Sequence, residues 1–261
     1  AKYRAARRIW ARLMRETYGA KKDRSCWLRF HTQTAGCSLT AQQPEVNIVR
    51  TAVQALAAVL GGTQSLHTNS MDEALALPSE KAVTIALRTQ QVIASESGVT
   101  NTVDPLGGSY FVEAQTDRME REANAYFAAI RERGGVVAAI RDGFFQKEIA
   151  DAAYRYQQEI DGGDREVIGV NAYNQKEPIN IPILAMDPEG EQKHMARLNR
   201  VRNERDNALA QQRMAELREV AEGNANTMPA ILNCVRAYCT VGEICDVFRE
   251  VFGVYQETVV V

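Results

Sequence analysis

The first hundred residues alternate between helical and extended patterns, and this alternation limits the fold more than any other feature. Apolar residues at helical spacing predict helices over 3–18, 44–60 and 80–96. Shorter runs between them predict strands over 26–33 and 63–67. Helices that separate strands in this way are typical of a parallel sheet in an α/β protein.

Two strands are too few to close a barrel or to form a stable sheet by themselves. We therefore expect further strands upstream of this sequence. We interpret residues 1–100 as the trailing part of an α/β barrel, with its last two strands and helices. The alternative is the trailing part of an open sheet.

The pattern becomes mostly helical after residue 100. We predict a post-barrel linker with helices over 101–190 and a C-terminal helical segment over 191–261. The smaller elements predicted from the sequence are a short helix capped by Asn69 or Ser70, a loop at 104–108, extended pieces at 109–113 and 167–170, helices over 117–133, 136–141 and 145–160, an irregular connection at 175–190, a charged helical stretch over 189–222 and a last helix over 228–252.

Charge and cysteine usage exclude several classes of partner. The net charge of -2, without a basic run, argues against nucleic acid. No apolar run approaches the roughly 20 residues that span a bilayer, so we expect no membrane partner. The five cysteines lack CxxC spacing, and their odd number favours reduced thiols and a cytoplasmic location. Three histidines are too few to suggest a metal site.

The strand predicted over 26–33 has an unusually polar face. Side chains of a strand alternate between faces, so Arg29, His31 and Gln33 lie on one side. A core strand cannot bury three such groups without partners, so this face meets water or lines a polar site. Active sites of α/β barrels lie at the C-terminal ends of the strands. His31, Gln33 and Gly36 belong to one such end, and residues 64–69 belong to the next.

Each candidate residue could also serve the fold alone. His31 could be a hydrogen-bonded core histidine, and Gln33 and Gln64 could bond to nearby main chain. In the same way, Glu73 could be a helix-start acid, Gly36 a turn glycine and Cys37 a packed thiol.

Long segments of the chain resemble the methylmalonyl-CoA mutase family. The first is residues 28–40, LRFHTQTAGCSLT, and the second is residues 61–70, GGTQSLHTNS, followed by DEALALP at 72–78. The segments DPLGGSY at 104–110 and IGVN at 168–171 extend the resemblance in family order over nearly the whole chain.

The resemblance implies an isomerase that rearranges the carbon skeleton of a short acyl-CoA by radical chemistry, with adenosylcobalamin as cofactor. It implies a (β/α)8 TIM barrel, of which this chain holds strands seven and eight and a largely helical tail. (R)-Methylmalonyl-CoA, converted to succinyl-CoA, is the first substrate considered. Isobutyryl-CoA and 2-hydroxyisobutyryl-CoA are alternatives, and so is a non-catalytic half-barrel that serves assembly.

The resemblance also implies partners. The first six strands are absent from this sequence, and so is the Asp-x-His-x-x-Gly segment of the family's cobalamin-binding module. We therefore expect a hetero-oligomer with the remaining N-terminal barrel half and a small cobalamin-binding subunit or domain. The isolated chain is expected to be inactive.

Site residues carry over by their positions in the matching segments. His31 would contact the thioester side of the acyl-CoA, and Gln33 would lie between substrate and the adenosyl group; both are the expected catalytic residues. Gln64 would line the substrate side. The expected cofactor contacts are Gln33, Gly36, Cys37, Glu73, Ala74, Ala76 and Gln157. Cys37 stands where the family commonly has tryptophan, and Ala76 where some members have glycine.

Overall fold

The structure is a computed structural model that describes residues 1–175, 178 and 180–256. It divides into two compact units, Ala1–Leu184 and a second unit that begins at Ala185. The boundaries predicted at residues 100 and 190 stay predictions. The helices are α1 (Lys2–Arg12), α2 (Val46–Leu60), α3 (Glu80–Glu96), α4 (Tyr110–Glu132), α5 (Val136–Arg141), α6 (Phe144–Asp161), α7 (Gly190–Glu204), α8 (Asn207–Glu222), α9 (Met228–Arg236) and α10 (Val241–Phe252).

The first unit contains a small parallel sheet. Its strands are β1 (His31–Gln33) and β2 (Ser65–His67), and α2 connects them. The chain is thus mostly helical with a small parallel sheet, as expected for part of an α/β protein. Both strands are shorter than predicted, and β1 loses most: a 3₁₀ turn covers Asp23–Cys26, and residues 27–30 lie between this turn and the strand. A single neighbouring strand provides ladder partners for only a few residues.

Two elements predicted near the strand ends are wrong. The helix expected after Asn69 is a series of turns, in which the amides of Leu75 and Ala76 both donate to the carbonyl of Asp72. The extended piece expected at 109–113 is the start of α4. Ser109 caps that helix by accepting from the amide of Val112, so cap chemistry prevailed over the strand preference of the aromatic residues.

Two long helices predicted in the tail are each divided. The stretch 189–222 breaks before α8, where the Asp206 side chain accepts from the amide of Leu209. The stretch 228–252 breaks between α9 and α10, where Tyr238 has a φ of 58° and Thr240 and Glu243 form a capping box. Side-chain caps satisfy amides that have no partner at a helix start, so each cap defines a new helix.

Ion pairs join α1 to α4 in the first unit. Arg4 donates to Glu113 at 2.7 Å, and Arg8 donates to Glu120 at 2.9 Å. Arg12 contacts the same Glu120 carboxylate, whose side chain is 9% exposed. The arginines are spaced four residues apart, so they follow one side of α1. This side anchors the helix that precedes the sheet.

The second unit has its own core between α8, α9 and α10. Leu217 and Cys234 are fully buried there, with Ile244 and Val247 against them. Burial raises the pKa of Cys234 to about 11, so this thiol is an inert core group. None of the helices in the described residues is long and apolar enough to span a membrane.

Candidate active site

The two strands present one polar face and one buried face. His31 lies beside Ser65 and Gln33 lies beside His67 in the parallel register. Paired residues of neighbouring strands share a face, and all four of these side chains are exposed. Thr32, between them in sequence, is buried on the other face. The polar face predicted for β1 is therefore confirmed, and β2 doubles its width.

The closest polar contact on this face joins the two strands. His31 Nδ1 lies 2.7 Å from Ser65 Oγ, a hydrogen-bond distance. The contact holds the imidazole by one nitrogen and leaves Nε2 as its other polar atom. His31 is thus exposed and oriented, and it is not a buried core histidine.

Beyond the strands, the two chain segments are joined by Asn69. Its side chain accepts from the Thr34 hydroxyl at 2.5 Å and donates to Glu73 Oε2 at 2.5 Å. The main-chain N–H of Asn69 donates back to the Thr34 hydroxyl at 2.9 Å. Asn69 is only 2% exposed, so this link is shielded from water. It fixes the Glu73 carboxylate beside the end of β1.

Gly36 lies directly against this link. A Cβ atom at this position would lie 3.2 Å from Glu73 Oε1 and 3.3 Å from Asn69 Nδ2. Both distances are tighter than ordinary van der Waals contact. The absence of a side chain at Gly36 therefore lets the loop after β1 approach the Glu73 carboxylate. This packing requirement is separate from any close approach of a cofactor.

Helices α2 and α3 brace the loop that carries Asn69. Asn47 of α2 donates to the carbonyl of Met71 at 2.9 Å, and Thr51 donates to that of Asn69 at 3.4 Å. Thr68 donates to the carbonyl of Ala86 in α3 at 2.7 Å. Buried, satisfied polar contacts of this kind rigidify the backbone. They give the polar face a fixed support.

A small cavity of about 160 Å³ borders the end of β2. His67, Ser70 and Glu73 line it on the loop side, and apolar side chains of α3 together with Gln90 line the other. The Ser70 hydroxyl and Asp72 Oδ1 are buried without a hydrogen-bond partner among the described residues.

Three further predicted contacts, Cys37, Ala74 and Ala76, differ in exposure. Cys37 is exposed in the short turn that begins at Gly36, and Ala74 is exposed beside Glu73. Ala76 is partly buried two residues further on.

Two predicted residues lie apart from the polar face. Gln64 precedes β2, where its Oε1 accepts from the Phe30 amide at 2.8 Å and its Nε2 donates to the Gly62 carbonyl at 3.0 Å. Gln157 is exposed on α6 and donates to Asp161 at 2.8 Å. The structure does not join either amide to the group around His31 and Gln33.

The sequence profile of the family described as Methylmalonyl-CoA mutase matches residues 1–254. The chain belongs to the methylmalonyl-CoA mutase family.

Curated relatives of this mutase family resemble the chain along almost its entire length. The 2-hydroxyisobutanoyl-CoA mutase large subunit of Aquincola tertiaricarbonis is 46% identical over 99% of this chain and 46% of that protein. The mitochondrial methylmalonyl-CoA mutase of Homo sapiens is 43% identical over 97% of this chain and 34% of that protein. The methylmalonyl-CoA mutase of Rhizobium meliloti is 42% identical over 98% of this chain and 36% of that protein. The chain therefore spans between a third and a half of their length.

Sequence reasoning did not single out Ser65, His67 or Asn69 as parts of a mutase site. Ser65 and His67 alternate with Leu66 in the sequence, which is a signal for one exposed face. Their proximity to His31 and Gln33 depends on the register between two strands more than thirty residues apart. That register follows from the length and docking of α2, which the alternation alone does not specify.

Proposed function

We propose that this chain supplies one wall of the active site of an adenosylcobalamin-dependent acyl-CoA mutase, an intramolecular isomerase. The observation that carries the proposal is the exposed face of His31, Ser65, Gln33 and His67 at the strand ends of a family member. The proposed fold of the whole protein is a (β/α)8 barrel, in which β1 and β2 are the last two strands.

In this proposal the chain's own residues bind and orient the acyl group. His31 donates a hydrogen bond from Nε2 to the thioester carbonyl, and Gln33 separates the acyl group from the adenosyl side. Gln64 supports the substrate side through its main-chain contacts. Oriented imidazole and amide groups polarise a carbonyl and replace water without acting as strong bases.

The described residues fit the cofactor that the family implies. Gly36, Cys37 and Ala74 offer a surface of small side chains, and Glu73 offers a held carboxylate that accepts hydrogen bonds. The proposed cofactor contacts are Gln33, Gly36, Cys37, Glu73, Ala74, Ala76 and Gln157. Adenosylcobalamin, when bound, supplies the radical chemistry of the rearrangement, while the protein binds, orients and shields.

The proposal also includes partner polypeptides. Within the described residues, β1 and β2 pair only with each other, so each strand has one edge without a ladder partner. Such edges bind further strands. The remaining barrel half would cover them, and a small cobalamin-binding subunit or domain would complete a hetero-oligomer. The cytoplasmic location stays a prediction.

Of the three acyl-CoA substrates considered, including isobutyryl-CoA, two have support among the relatives. Most of the matched relatives named above are methylmalonyl-CoA mutases, which favours conversion of (R)-methylmalonyl-CoA to succinyl-CoA. The 46% identity to a 2-hydroxyisobutanoyl-CoA mutase subunit favours a branched hydroxyacyl-CoA as the second candidate.

The test is an assay of the full-length or reconstituted protein with adenosylcobalamin and each acyl-CoA in turn. We expect turnover of one of them, and none from this chain alone. Cofactor binding without turnover of methylmalonyl-CoA, 2-hydroxyisobutyryl-CoA or isobutyryl-CoA would favour the assembly role and contradict the proposal. Turnover by this chain alone would contradict the need for partner polypeptides.

A further inference from the structure

Ser65 is the hydrogen-bond partner of His31 on the polar face. The two residues are paired across parallel strands, and Ser65 Oγ lies 2.7 Å from His31 Nδ1. Among the described residues, the Ser65 hydroxyl makes no other hydrogen bond. It is therefore free to donate its proton to Nδ1.

This contact determines what the other side of the ring offers. A neutral imidazole has one nitrogen that donates and one that accepts. When the serine hydroxyl donates to Nδ1, the ring proton is on Nε2. The same bond fixes the rotation of the ring about its χ2 angle. Nε2–H then becomes a donor of fixed direction.

The neighbouring amide is not a substitute for this hydroxyl. Gln64 is bound through both side-chain atoms to the main chain at Phe30 and Gly62. His67 is paired with Gln33, one step further along the same face. Ser65 alone has the register position opposite His31.

We propose that Ser65 is a positioning residue that holds His31 with its Nε2–H directed at the acyl carbonyl oxygen. The inference rests on the proposed function, in which His31 contacts the thioester. Because Ser65 acts through His31, its loss is expected to lower kcat more than it weakens substrate binding.

The first test is kinetic and uses the full-length or reconstituted protein with adenosylcobalamin. Ser65→Ala is expected to lower kcat for the acyl-CoA about tenfold, as for the loss of one hydrogen bond that orients a catalytic side chain. Ser65→Thr keeps the hydroxyl and is expected to retain activity within about twofold. Ser25→Ala, an exposed serine outside the polar face, is the matched control and is expected to match the unaltered protein.

The second test separates positioning from direct contact. In a His31→Ala background, Ser65→Ala is expected to have no further effect on kcat. An equal tenfold loss in both backgrounds would overturn the proposal, because Ser65 would then act without His31. Unchanged kcat in Ser65→Ala alone would also overturn it.

A third readout does not depend on activity. Nitrogen NMR of the same assembled protein, labelled with ¹⁵N-histidine, reports which His31 nitrogen carries the proton. We expect Ser65→Ala to change the His31 nitrogen shifts and Ser65→Thr to restore them. Unchanged shifts would overturn the positioning role. If the protein turns over neither acyl-CoA but the shifts respond as expected, the proposed function fails while the positioning of His31 stands.

Discussion

At the scale of single residues, the site depends on how closely two loops approach each other. Gly36 faces the Glu73 carboxylate and the Asn69 amide at distances that leave little room for a methyl group. The Asn69 side chain donates a hydrogen bond to Glu73, and Asn69 is buried, so this contact restrains both side chains. A change at Gly36 therefore acts on the position of Glu73.

We predict that Gly36→Ala destabilises the full-length protein by about 1 kcal/mol, the low end of the cost of overpacking. We also expect it to weaken adenosylcobalamin binding, because Glu73 is displaced. Urea unfolding and cofactor titration measure the two effects. Gly190→Ala is the control, since a Cβ there meets only ordinary contacts at 3.7 Å or more. Equal stability and cofactor affinity of Gly36→Ala and the unaltered protein would contradict the account.

Part of this site could be predicted from single residues and part could not. The alternation of Arg29, His31 and Gln33 predicts an exposed polar face, and the structure confirms it for His31 and Gln33. The hydrogen bond from the Phe30 amide to Gln64 and the link through Asn69 both join groups distant in sequence. Local patterns contain no information on such pairings.

At the scale of elements, α1 is tied to α4 through the buried carboxylate of Glu120. Arg8 and Arg12 both contact Glu120. Removing that carboxylate leaves two guanidinium groups without their shared partner. Breaking a partly buried pair costs more than breaking an exposed one.

We predict that Glu120→Gln lowers the free energy of unfolding of the first unit by about 2 kcal/mol. The matched control is Glu122→Gln, whose carboxylate pairs with Arg118 on the exposed side of the same helix. Its effect is expected to stay within about 0.5 kcal/mol. Denaturant unfolding of the full-length protein, followed by a probe in the first unit, measures both. Equal effects of the two substitutions would contradict the account.

The second unit contains an acid-sensitive contact between the start of α10 and Arg205, the residue that follows α7. Arg205 forms two hydrogen bonds to Glu243, at 2.6 and 2.7 Å, and Thr240 adds more through its amide and hydroxyl. The Arg205 guanidinium is the main cause that lowers the pKa of Glu243 from 4.5 to about 2. The folded state thus favours the ionised carboxylate.

The sign of the pH effect follows from that direction. The stabilisation is fully present above the unfolded pKa of 4.5 and decreases as the pH falls toward the folded pKa of about 2. We predict that Glu243→Gln destabilises the second unit by about 2–3 kcal/mol at pH 6 and by much less at pH 2. Unfolding of the unaltered protein and the variant at both pH values gives the difference. A difference that does not change with pH would contradict the prediction.

The ends of the helices show why apolar periodicity predicted some helices correctly and merged others. Periodicity predicted α3 and α5 correctly, because their apolar spacing is continuous between clear end signals. Periodicity predicted α9 and α10 as one helix, whereas Thr240 and Glu243 form a capping box that starts a new helix. A helix break with apolar residues on both sides changes the periodicity too little to be seen.

At the scale of the whole molecule, the chain holds one wall of a proposed site and spans between a third and a half of its relatives' length. The described residues provide oriented polar groups on a sheet of only two strands. The remaining walls would come from other parts of the assembled protein. The α/β class follows from the alternation of elements, whereas the substrate stays a proposal.

The central claim is that the face of β1 and β2 contacts the acyl group in a working mutase. The most direct measurement is the turnover of methylmalonyl-CoA or 2-hydroxyisobutyryl-CoA by the assembled protein with adenosylcobalamin, with and without the double substitution His31→Ala and Gln33→Ala. We predict that the unaltered protein isomerises one substrate and that the folded variant, assayed at saturating cofactor, loses at least about 10²-fold in kcat. Turnover that is unchanged in the folded variant would contradict the account.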